Sequence, residues 1–425
     1  MKKKANKKLD IVIIGGLGHV GLPLGISFAN KGLQVCLLDV DPKKAKEVKK
    51  GNMPFIEYDA EPILKKVLQN GSLQISLDLS IIARAQHVII ALGTPIDEYL
   101  NPKTRQFLSI IEKFKPYLNE EQTIIVRSTI YPRTCLQMYK ALGKNKNWKI
   151  AYCPERIVQG YAIRELVELP QIVSGMTRDA YQSAEKLFAH LSPKIIRTSI
   201  GEAELIKLFS NAWRYIQFAA TNQFYMIAQN FGVDYEEVRR AMTDGYGRAA
   251  TLPSAGFAAG PCLLKDTMQL SAFCGNEFVL GHAAMMINEG LPNFIVRNLS
   301  QKYDLGKTRI GILGMAFKAD IDDVRDSLSF KLGKILRFHG AQVYYSDEFA
   351  QNPDFVSKEK LIASSDVVIV AVPHTAYKGM KIPPLVDVID LWNITIHQNT
   401  DEMKSSLSSL KKKTTKVPSA KATRK

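Results

Sequence analysis

The 425-residue sequence predicts an α/β protein with two doubly wound parallel-sheet domains joined by a helical middle that contains a long central helix. Three observations support this prediction. Short apolar runs alternate with helical patterns up to about residue 200, an unbroken helical pattern follows to residue 230, and strand–helix alternation resumes at Lys307. A chain of this length exceeds the usual size of one hydrophobic core, so several domains are expected.

The first sheet begins with Leu9–Ile14, an apolar run that ends in glycines and is typical of a buried parallel strand. A helical pattern follows at residues 20–31. Further strands are expected at Gln34–Val40, His87–Leu92, Gln122–Arg127 and Lys149–Tyr152, with helical patterns between them. Strands that alternate with helices indicate βαβ units and a doubly wound sheet.

The helical middle is dominated by Glu202–Asn230, which contains neither Pro nor Gly. Apolar residues recur there at helical spacing, and the helix would be about 40 Å long. Because it is apolar on more than one face, we expect it to join two domains and to form a homodimer or higher homo-oligomer. Strands of the second sheet are expected at Thr308–Leu313, Ala341–Ser346, Asp366–Val372 and Val386–Leu391.

The net charge of +16 is concentrated at the two ends of the chain. Residues 1–8 carry five Lys, and residues 411–425 carry six Lys and one Arg. Such segments cannot bury a core, so we expect basic, disordered tails at 1–8 and 401–425. No aromatic residue lies among these charges, which argues against a specific nucleic-acid site and leaves loose attraction to anionic lipid or RNA open.

The five Cys residues form no CxxC pair, which argues against a disulfide framework and a structural zinc site. The His residues show no ligand spacing either, so no metal is expected. No stretch approaches the roughly 18 apolar residues of a membrane span. Asp10 interrupts the apolar run after the basic start, and no cleavage pattern follows, so a signal peptide is not predicted. The protein is therefore expected in the cytoplasm.

A glycine fingerprint, Gly16-Leu17-Gly18-His19-Val20-Gly21, lies between the first strand and the first helix. Glycines at these positions permit a tight turn and let the backbone approach a pyrophosphate at the helix N-terminus. Asp39 follows 18 residues after Gly21, where its carboxylate would bind ribose hydroxyls and repel a 2′-phosphate. The domain is therefore predicted to be Rossmann-like and to bind NAD, with His19 as a loop residue of that site and not a catalyst.

The second Rossmann-like half has no such fingerprint. Its Gly311-Ile312-Leu313-Gly314 lacks the third glycine at the right spacing. It should therefore not bind a second dinucleotide in the same way, and we expect it to hold something else, such as the nucleotide of a substrate.

Three further segments place polar residues where a cleft is expected. Cys262 follows a Gly-Pro turn, and Asp266 comes four residues later. Lys207 and Asn211 are also four residues apart, so both project from one face of the long helix. Glu155 lies just past a strand end, where open α/β sheets bind ligands.

Over residues 9–395 the chain resembles the UDP-glucose/GDP-mannose dehydrogenase family. The resemblance rests on the order and spacing of GLGHVGLPL, GTPID, RSTIYPRT, PERIVQG, KLFSN, GPCLLKD and GMAFKADIDDVRDS. PERIVQG and GPC look closer to family enzymes acting on UDP-N-acetylhexosamines than to the UDP-glucose branch, where PEFL and GSC are usual. The resemblance implies an NAD-binding domain at 9–200, a central dimerisation domain at 201–300 and a UDP-sugar-binding domain at 301–400.

The same resemblance implies a four-electron oxidation of a sugar C6 hydroxymethyl group to a uronic acid, with two NAD, for polysaccharide biosynthesis. Cys262 would attack the intermediate aldehyde, and the thiohemiacetal would become a thioester that water cleaves. Lys207 would stabilise an alkoxide and lower the pKa of Cys262, and Asn211 would donate a hydrogen bond to the same oxygen. Asp266 would hold or activate water, with Thr94 nearby.

Further contacts follow from the resemblance. Glu155 is a second candidate base for hydrolysis. The expected NAD contacts are Gly16, Gly18, His19, Val20, Gly21, Asp39, Thr94, Thr129 and Lys265. The expected substrate contacts are Glu155, Arg156, Lys207, Asn211, Arg248, Gly260 and Lys318.

Two positions depart from the family pattern. Trp392 stands where an Arg is common, and Leu328 stands where a Pro often follows RxS. Both bear on the substrate and not on the reaction type. UDP-N-acetylmannosamine or UDP-N-acetylglucosamine is the leading substrate, with UDP-glucose as the alternative. A two-electron hydroxyacid dehydrogenase and a non-catalytic nucleotide- or nucleic-acid-binding protein are weaker alternatives, because they give Cys262 no role.

Overall fold

The structure, a computed structural model, describes residues 8–94, 96–97, 101–143 and 146–396. The two predicted basic tails lie outside the described residues, except for Lys8. The chain divides into two compact units. The first unit comprises the residues up to 254 together with 258–291 and 320–327, and the second comprises 255–257, 292–319 and the residues from 328 onward. Among the described residues, no helix combines the length and the apolar character that crossing a bilayer requires.

One sheet forms the centre of the first unit. Its strands are β1 (Leu9–Ile14), β2 (Val35–Leu38), β3 (Leu73–Ser76), β4 (Ala85–Ile90), β5 (Thr123–Val126), β6 (Lys149–Tyr152), β7 (Gln171–Gly175) and β8 (Ile195–Arg197). Their order is β3-β2-β1-β4-β5-β6-β7-β8, and all neighbours are parallel except β6 and β7. Because β1 pairs with β2 on one side and β4 on the other, a ligand crevice is expected at its carboxyl end.

Helices bury this sheet. They are α1 (Gly21–Asn30), α2 (Pro42–Lys49), α3 (Ala60–Gln69), α4 (Thr104–Phe114), α5 (Thr134–Leu142), α6 (Ala162–Glu168) and α7 (Arg178–Phe188). Successive residues of β1 enter two different hydrophobic clusters, Ile11 and Ile13 in one and Val12 and Ile14 in the other. Burial on both faces explains why the strand is continuously apolar instead of alternating.

The predicted long helix is confirmed as α8 (Ile200–Phe231), which has 32 residues and is about 48 Å long. Ser199 and Glu202 form a reciprocal capping box at its start, and Gly232, with a φ of 84°, ends it. Three more helices follow, namely α9 (Tyr235–Thr243), α10 (Leu263–Phe273) and α11 (Val279–Ser300). The structure therefore places α8 and α10 in the same compact unit as the first sheet.

The second unit contains a four-stranded parallel sheet in the order β10-β9-β11-β12, formed by β9 (Arg309–Leu313), β10 (Gln342–Ser346), β11 (Val367–Val370) and β12 (Asp387–Asp390). Its helices are α12 (Leu328–Phe338) and α13 (Lys358–Ser364). Leu328, the residue that replaces a common Pro, is buried at the start of α12. These elements confirm the second Rossmann-like half.

Trp392 packs inside this second unit. A Cβ atom on Gly256 would lie 2.1 Å from the Trp392 ring, so only glycine fits beneath it. The indole Nε1 donates to the carbonyl of Ala371 at 3.0 Å. The residue that stands in place of the common Arg is therefore fixed by packing and by a hydrogen bond.

All nine strands predicted from the sequence are present, with ends shifted by at most two residues. The sequence prediction missed β3, β7 and β8. β3 and β8 lie at the two edges of the sheet and are partly exposed, so they lack the continuous apolar pattern of a central strand. β7 is a buried strand that begins with Gln171 and pairs antiparallel with β6, a topology that strand–helix alternation does not predict.

Candidate active site

The glycine turn after β1 has the geometry of a dinucleotide-binding loop. A Cβ atom on Gly16 would lie 2.7 Å from Leu37 Cβ, and one on Gly21 would lie 2.3 Å from the Gly15 carbonyl oxygen. Glycine is therefore required at both positions. A Cβ atom on Gly18 would meet nothing closer than 3.5 Å, so the second glycine leaves its outer side open to a close approach.

Asp39 lies beside this turn. One carboxylate oxygen accepts from the Leu17 amide at 2.9 Å, and the other accepts from the amides of Val40 and Asp41. Within the part of the chain that the structure describes, no side chain caps the N-terminus of α1, so the helix end is available to an anion. An uncapped helix end, an open glycine and a carboxylate at the end of β2 fit the pyrophosphate and adenosine ribose of NAD.

His19 is a packed loop residue, as the sequence suggested. Its ring lies against Phe55, with 3.9 Å between the ring centroids, and its Nε2 is 3.8 Å from an Asp323 oxygen. Burial, followed by the charge of Arg325, lowers the pKa of His19 to about 4. The imidazole is therefore neutral at physiological pH and adds no charge to the turn.

Cys262 occupies the N-cap position of α10 and is exposed. Gly260, two residues before it, has a φ of 97° and donates its amide to the Asp326 carbonyl at 3.3 Å. The left-handed conformation turns the chain sharply just before the thiol. By contrast, Cys36, Cys135 and Cys153 are buried, and burial raises the pKa of each of these thiols.

The structure joins Asn211 to Asp266, which lies one helical turn after Cys262 on α10. Asn211 Nδ2 donates to Asp266 Oδ2 at 2.5 Å, which links α8 to α10. Asp266 is fully buried, and its Oδ1 has no hydrogen-bond partner among the residues that the structure describes but lies 3.8 Å from Lys265 Nζ. Desolvation raises the pKa of Asp266, while Lys265 and Lys207 oppose that rise. Asn211 thus fixes one carboxylate oxygen, and the other faces the Lys265 ammonium.

Three cations surround Cys262. Lys207, Lys265 and Arg325 each lower the pKa of its thiol, as predicted for Lys207. Desolvation and the Asp266 charge are larger effects, however, and they raise the pKa overall. The predicted effect of Lys207 is therefore present, but it does not lower the thiol pKa overall. Although Cys262 is exposed as a residue, its thiol is desolvated and the Asp266 carboxylate lies one helical turn away, and these two effects outweigh the three cations.

Arg325 was not selected from the sequence, although it lies in the DDVRDS segment. Asp323 holds its guanidinium at 2.5–3.0 Å, and Asp323 also accepts from Gln159. The segment 320–327 belongs to the first unit despite being flanked by residues of the second. The sequence of this segment carries no signal that it belongs to the first unit, so only the structure reveals the position of Arg325.

The remaining cofactor candidates of the first unit lie near α10. Lys265 Nζ donates to Thr94 Oγ1 at 3.3 Å, so these two predicted contacts are adjacent. Thr129 is partly buried directly after Ser128, at the carboxyl end of β5. Both Thr residues therefore follow strands that adjoin the expected crevice.

Glu155 forms a buried ion pair. Its Oε2 accepts from Arg127 Nε at 2.9 Å and from Nη2 at 2.5 Å. Its Oε1 accepts from the amides of Arg156 and Ile157. Arg127 also donates to the carbonyls of residues 153 and 154. With both oxygens occupied, the contacts favour a structural role for Glu155 over that of a base.

Other predicted substrate contacts are dispersed. Arg156 donates to the Pro170 carbonyl at 2.6 Å. Arg248 is exposed and lies over the Tyr246 ring at 5.2 Å. Lys318 belongs to the second unit. The first unit thus groups Cys262 with the residues of α8 and α10.

Three domains of one family match the chain in order. They are the NAD binding domain (residues 9–192), the central domain (201–290) and the UDP binding domain (311–406) of the UDP-glucose/GDP-mannose dehydrogenase family. Together they account for most of the chain.

Relatives agree with this match. A UDP-N-acetyl-D-mannosamine dehydrogenase of Methanocaldococcus jannaschii is 28% identical over 388 residues, which cover 89% of this chain and 88% of the relative. The structure of a UDP-D-ManNAc dehydrogenase from Pyrococcus horikoshii is 26% identical, with a TM-score of 0.83 and coverage of 92% of this chain and 96% of that one. A UDP-glucose dehydrogenase from Pyrobaculum islandicum, 23% identical with a TM-score of 0.83 and coverage of 93% and 96%, shares the fold. The chain therefore belongs to the UDP-glucose/GDP-mannose dehydrogenase family and is an NAD-dependent nucleotide-sugar dehydrogenase.

Proposed function

We propose that the enzyme oxidises the C6 hydroxymethyl group of a UDP-N-acetylhexosamine, UDP-N-acetylmannosamine or UDP-N-acetylglucosamine, to the uronate through a thioester on Cys262, for polysaccharide biosynthesis. The observation that carries this proposal is the exposed thiol at the start of α10, whose pKa is lowered by Lys207, Lys265 and Arg325 and which lies one helical turn before Asp266, the partner of Asn211. A two-electron alcohol oxidation would need no nucleophilic thiol.

Bound NAD would supply the hydride acceptor for each of the two oxidations, so one sugar consumes two coenzymes. In the first oxidation the hydroxyl gives its proton to water, and the Lys207 ammonium stabilises the developing alkoxide. No hydrogen bond or ion pair holds Lys207 to another described residue, so its side chain is available to that oxygen. The Cys262 thiolate then adds to the aldehyde carbon, and the same ammonium neutralises the hemiacetal oxygen.

The second oxidation converts the thiohemiacetal into a thioester. Water attacks the acyl carbon, the C–S bond breaks, and the thiolate of Cys262 leaves with the bonding pair. Asp266 is the base in this step, because its Oδ1 is unpaired while Asn211 fixes its other oxygen. The overall reaction consumes one water and two NAD and yields the carboxylate, two NADH and three protons.

The substrate assignment is supported by the motifs PERIVQG and GPC and by the names of the relatives. The M. jannaschii and P. horikoshii proteins are both named for N-acetylmannosamine. UDP-glucose is the second candidate, since the P. islandicum enzyme has the same fold. The domain that matches a UDP binding domain, and our predicted boundaries of 301–400, indicate where the nucleotide would bind.

We further propose that two copies of the chain associate through α8. Phe209, Trp213, Phe224, Ile227 and Phe231 are exposed, Trp213 to 60% and Phe231 to 82%. At 100° per residue, these five side chains lie within about 60° of each other around the helix, which makes one apolar stripe. A stripe of this length on one helix suits the same stripe on a second copy.

We place the enzyme in the cytoplasm. All five Cys residues are free thiols, which suits a reducing compartment.

The experiment that tests this function combines purified protein and NAD with UDP-N-acetylmannosamine, UDP-N-acetylglucosamine and UDP-glucose in turn. We expect two NADH per sugar for an N-acetylated substrate, and a loss of complete turnover in Cys262→Ser. One NADH per sugar would show an ordinary alcohol dehydrogenase instead. Nucleotide binding that survives Cys262→Ala, with no NADH from any sugar, would favour a non-catalytic binder.

A further inference from the structure

The segment 320–327 belongs to the first unit, although residue 319 before it and residue 328 after it belong to the second. Asp320 and Asp326, at or near its two ends, have φ angles of 57° and 54°. These left-handed conformations are uncommon for residues other than glycine, and they turn the chain at both ends of the segment. Tyr58 donates its hydroxyl to the Asp320 carbonyl at 2.8 Å, which holds the segment on the first unit.

Asp323, a buried acid of this segment, contacts three separate parts of the first unit. Its carboxylate accepts from Arg325 Nε at 2.9 and 3.0 Å and from Nη2 at 2.5 Å. Its Oδ2 also accepts from Gln159 Nε2 at 3.1 Å and lies 3.8 Å from His19 Nε2 in the glycine turn. Because a two-pronged contact between a carboxylate and a guanidinium fixes direction as well as distance, Asp323 determines where the Arg325 head group lies.

The two partners differ in their exposure to solvent. The Arg325 side chain is 55% exposed, whereas the Asp323 side chain is 6% exposed. Burial raises the pKa of Asp323, but the hydrogen bonds from Arg325 and Gln159 outweigh burial and lower it overall. A long, half-exposed arginine has many rotamers available, so without the carboxylate its guanidinium would spread into solvent.

The segment also contacts the turn that carries Cys262. Asp326, the residue after Arg325, accepts from the Gly260 amide at 3.3 Å, and Gly260 lies two residues before Cys262. The thiol and the guanidinium influence each other through this proximity. Arg325 lowers the pKa of Cys262, and Cys262 raises the pKa of Arg325.

We propose that Asp323 is a positioning residue that holds the Arg325 guanidinium beside the Cys262 sulfur and so keeps a cation at the reacting thiol. The thiolate is the nucleophilic form of a cysteine, and a nearby fixed cation stabilises it. The inference rests on the proposed role of Cys262 and adds to it a residue that acts through Arg325. The alternative is that Asp323 acts only as a negative charge that weakens the effect of Arg325 on the thiol.

The test is the pH profile of Cys262 alkylation by iodoacetamide in the full chain, measured by mass spectrometry of the peptide that contains Cys262. Asp323→Asn removes a negative charge, so the alternative predicts a profile at lower pH. If Asp323 positions Arg325, the released guanidinium moves into solvent and the profile moves to higher pH. We expect about half a pH unit, the effect of one cation several ångströms away in a largely aqueous medium. At a pH well below the thiol pKa, this shift equals roughly threefold slower alkylation.

Variants of Arg325 show whether the acid acts through the arginine. Arg325→Met should shift the profile to higher pH by at least as much as Asp323→Asn, because it deletes the cation. The double variant Asp323→Asn, Arg325→Met should shift it no further than Arg325→Met alone. Arg325→Lys keeps the charge but lacks the fork that fits the carboxylate, so it should shift the profile in the same direction.

Asp322→Asn is the matched control. Asp322 is the neighbouring acid in the same segment, and its Oδ1 accepts from the Ile56 amide at 3.1 Å. This variant loses the same charge but keeps the pair of Asp323 and Arg325, so its profile should not move to higher pH. Cys274, an exposed thiol at the opposite end of α10, provides an internal control in each sample, and its profile should stay unchanged.

Three results would overturn the inference. The first is an Asp323→Asn profile that stays in place or moves to lower pH. The second is an equal shift in Asp322→Asn, which would assign the effect to the segment as a whole. The third is a larger shift in the double variant than in Arg325→Met. Should Asp323→Asn fail to fold, a wild-type profile in Arg325→Met and Arg325→Lys would refute the inference equally well. Alkylation needs neither NAD nor a sugar, so an error in the proposed reaction would not affect this test.

Discussion

Replacing Glu155 by Ala distinguishes a structural carboxylate from a catalytic base. The change would leave the Arg127 guanidinium, whose side chain is 0% exposed, without its ion partner. Removing one member of a buried, hydrogen-bonded ion pair costs about 3–5 kcal/mol. Two backbone amides, of Arg156 and Ile157, would also lose their acceptor. We therefore expect Glu155→Ala to destabilise the first unit strongly.

The assay is urea unfolding of the full chain, followed by tryptophan fluorescence and by circular dichroism. Glu61→Ala is the control, because Glu61 pairs with Lys65 in solvent, where both side chains are about half exposed. Exposed pairs of this kind contribute about 0–1 kcal/mol. The double variant Arg127→Met, Glu155→Leu should recover much of the lost stability, since it leaves no buried charge unpaired.

If Glu155→Ala unfolds at the same urea concentration as Glu61→Ala, the buried ion pair of Glu155 does not stabilise the first unit and its structural role is refuted. A variant of normal stability that accumulates the thioester would restore Glu155 as the base for hydrolysis.

Three other predictions follow from the structure. Trp213→Glu, in the exposed stripe of α8, should give a monomer by light scattering. Leu385→Glu, at a position that is 96% exposed in the second unit, should leave the mass of the dimer unchanged. A wild-type protein that is already a monomer would refute the proposed dimer. Because Lys207 lowers the pKa of Cys262, Lys207→Met should move the pH profile of thiol alkylation to higher pH, and an unmoved profile would exclude this coupling. Burial raises the pKa of Asp347, but hydrogen bonds from His374 and from backbone amides outweigh it and hold this pKa at about 2. The ionised carboxylate therefore adds roughly 2 kcal/mol to the free energy of unfolding above pH 4. This contribution is lost as the pH falls toward 2. Asp347→Asn should therefore lower the urea midpoint of the second unit at pH 7 and have little effect near pH 2, and equal effects at both pH values would contradict this linkage.

Much of the fold could be predicted because buried parallel strands and long helices leave strong local patterns. Leu9–Ile14 and Lys149–Tyr152 were predicted with their observed ends, since both are apolar runs with sharp boundaries. Ile195–Arg197 escaped prediction because an exposed edge strand of three residues needs no apolar pattern. The antiparallel pairing of β6 with β7 depends on long-range contacts that periodicity cannot reveal.

The candidate site, too, could be predicted only in part from the sequence. The Lys207–Asn211 spacing predicted that both side chains share a helix face, but it gave no sign of the hydrogen bond from Asn211 to Asp266. The pKa of Cys262 could not be predicted, because it depends on desolvation and on a carboxylate on the next turn. Arg325 was missed for a similar reason. An arginine in this segment is ordinary in sequence, and only the surrounding atoms give it a role.

The central claim is that Cys262 carries the sugar as a thioester, and intact-protein mass spectrometry tests it most directly. Asp266→Asn, which removes the proposed base, is mixed with NAD and UDP-N-acetylmannosamine and quenched in acid. The account predicts an added mass equal to the nucleotide uronyl group, located on Cys262, released by hydroxylamine and absent when Cys262→Ser is added. An adduct on any other residue, or complete turnover by Cys262→Ser without an adduct, would contradict it.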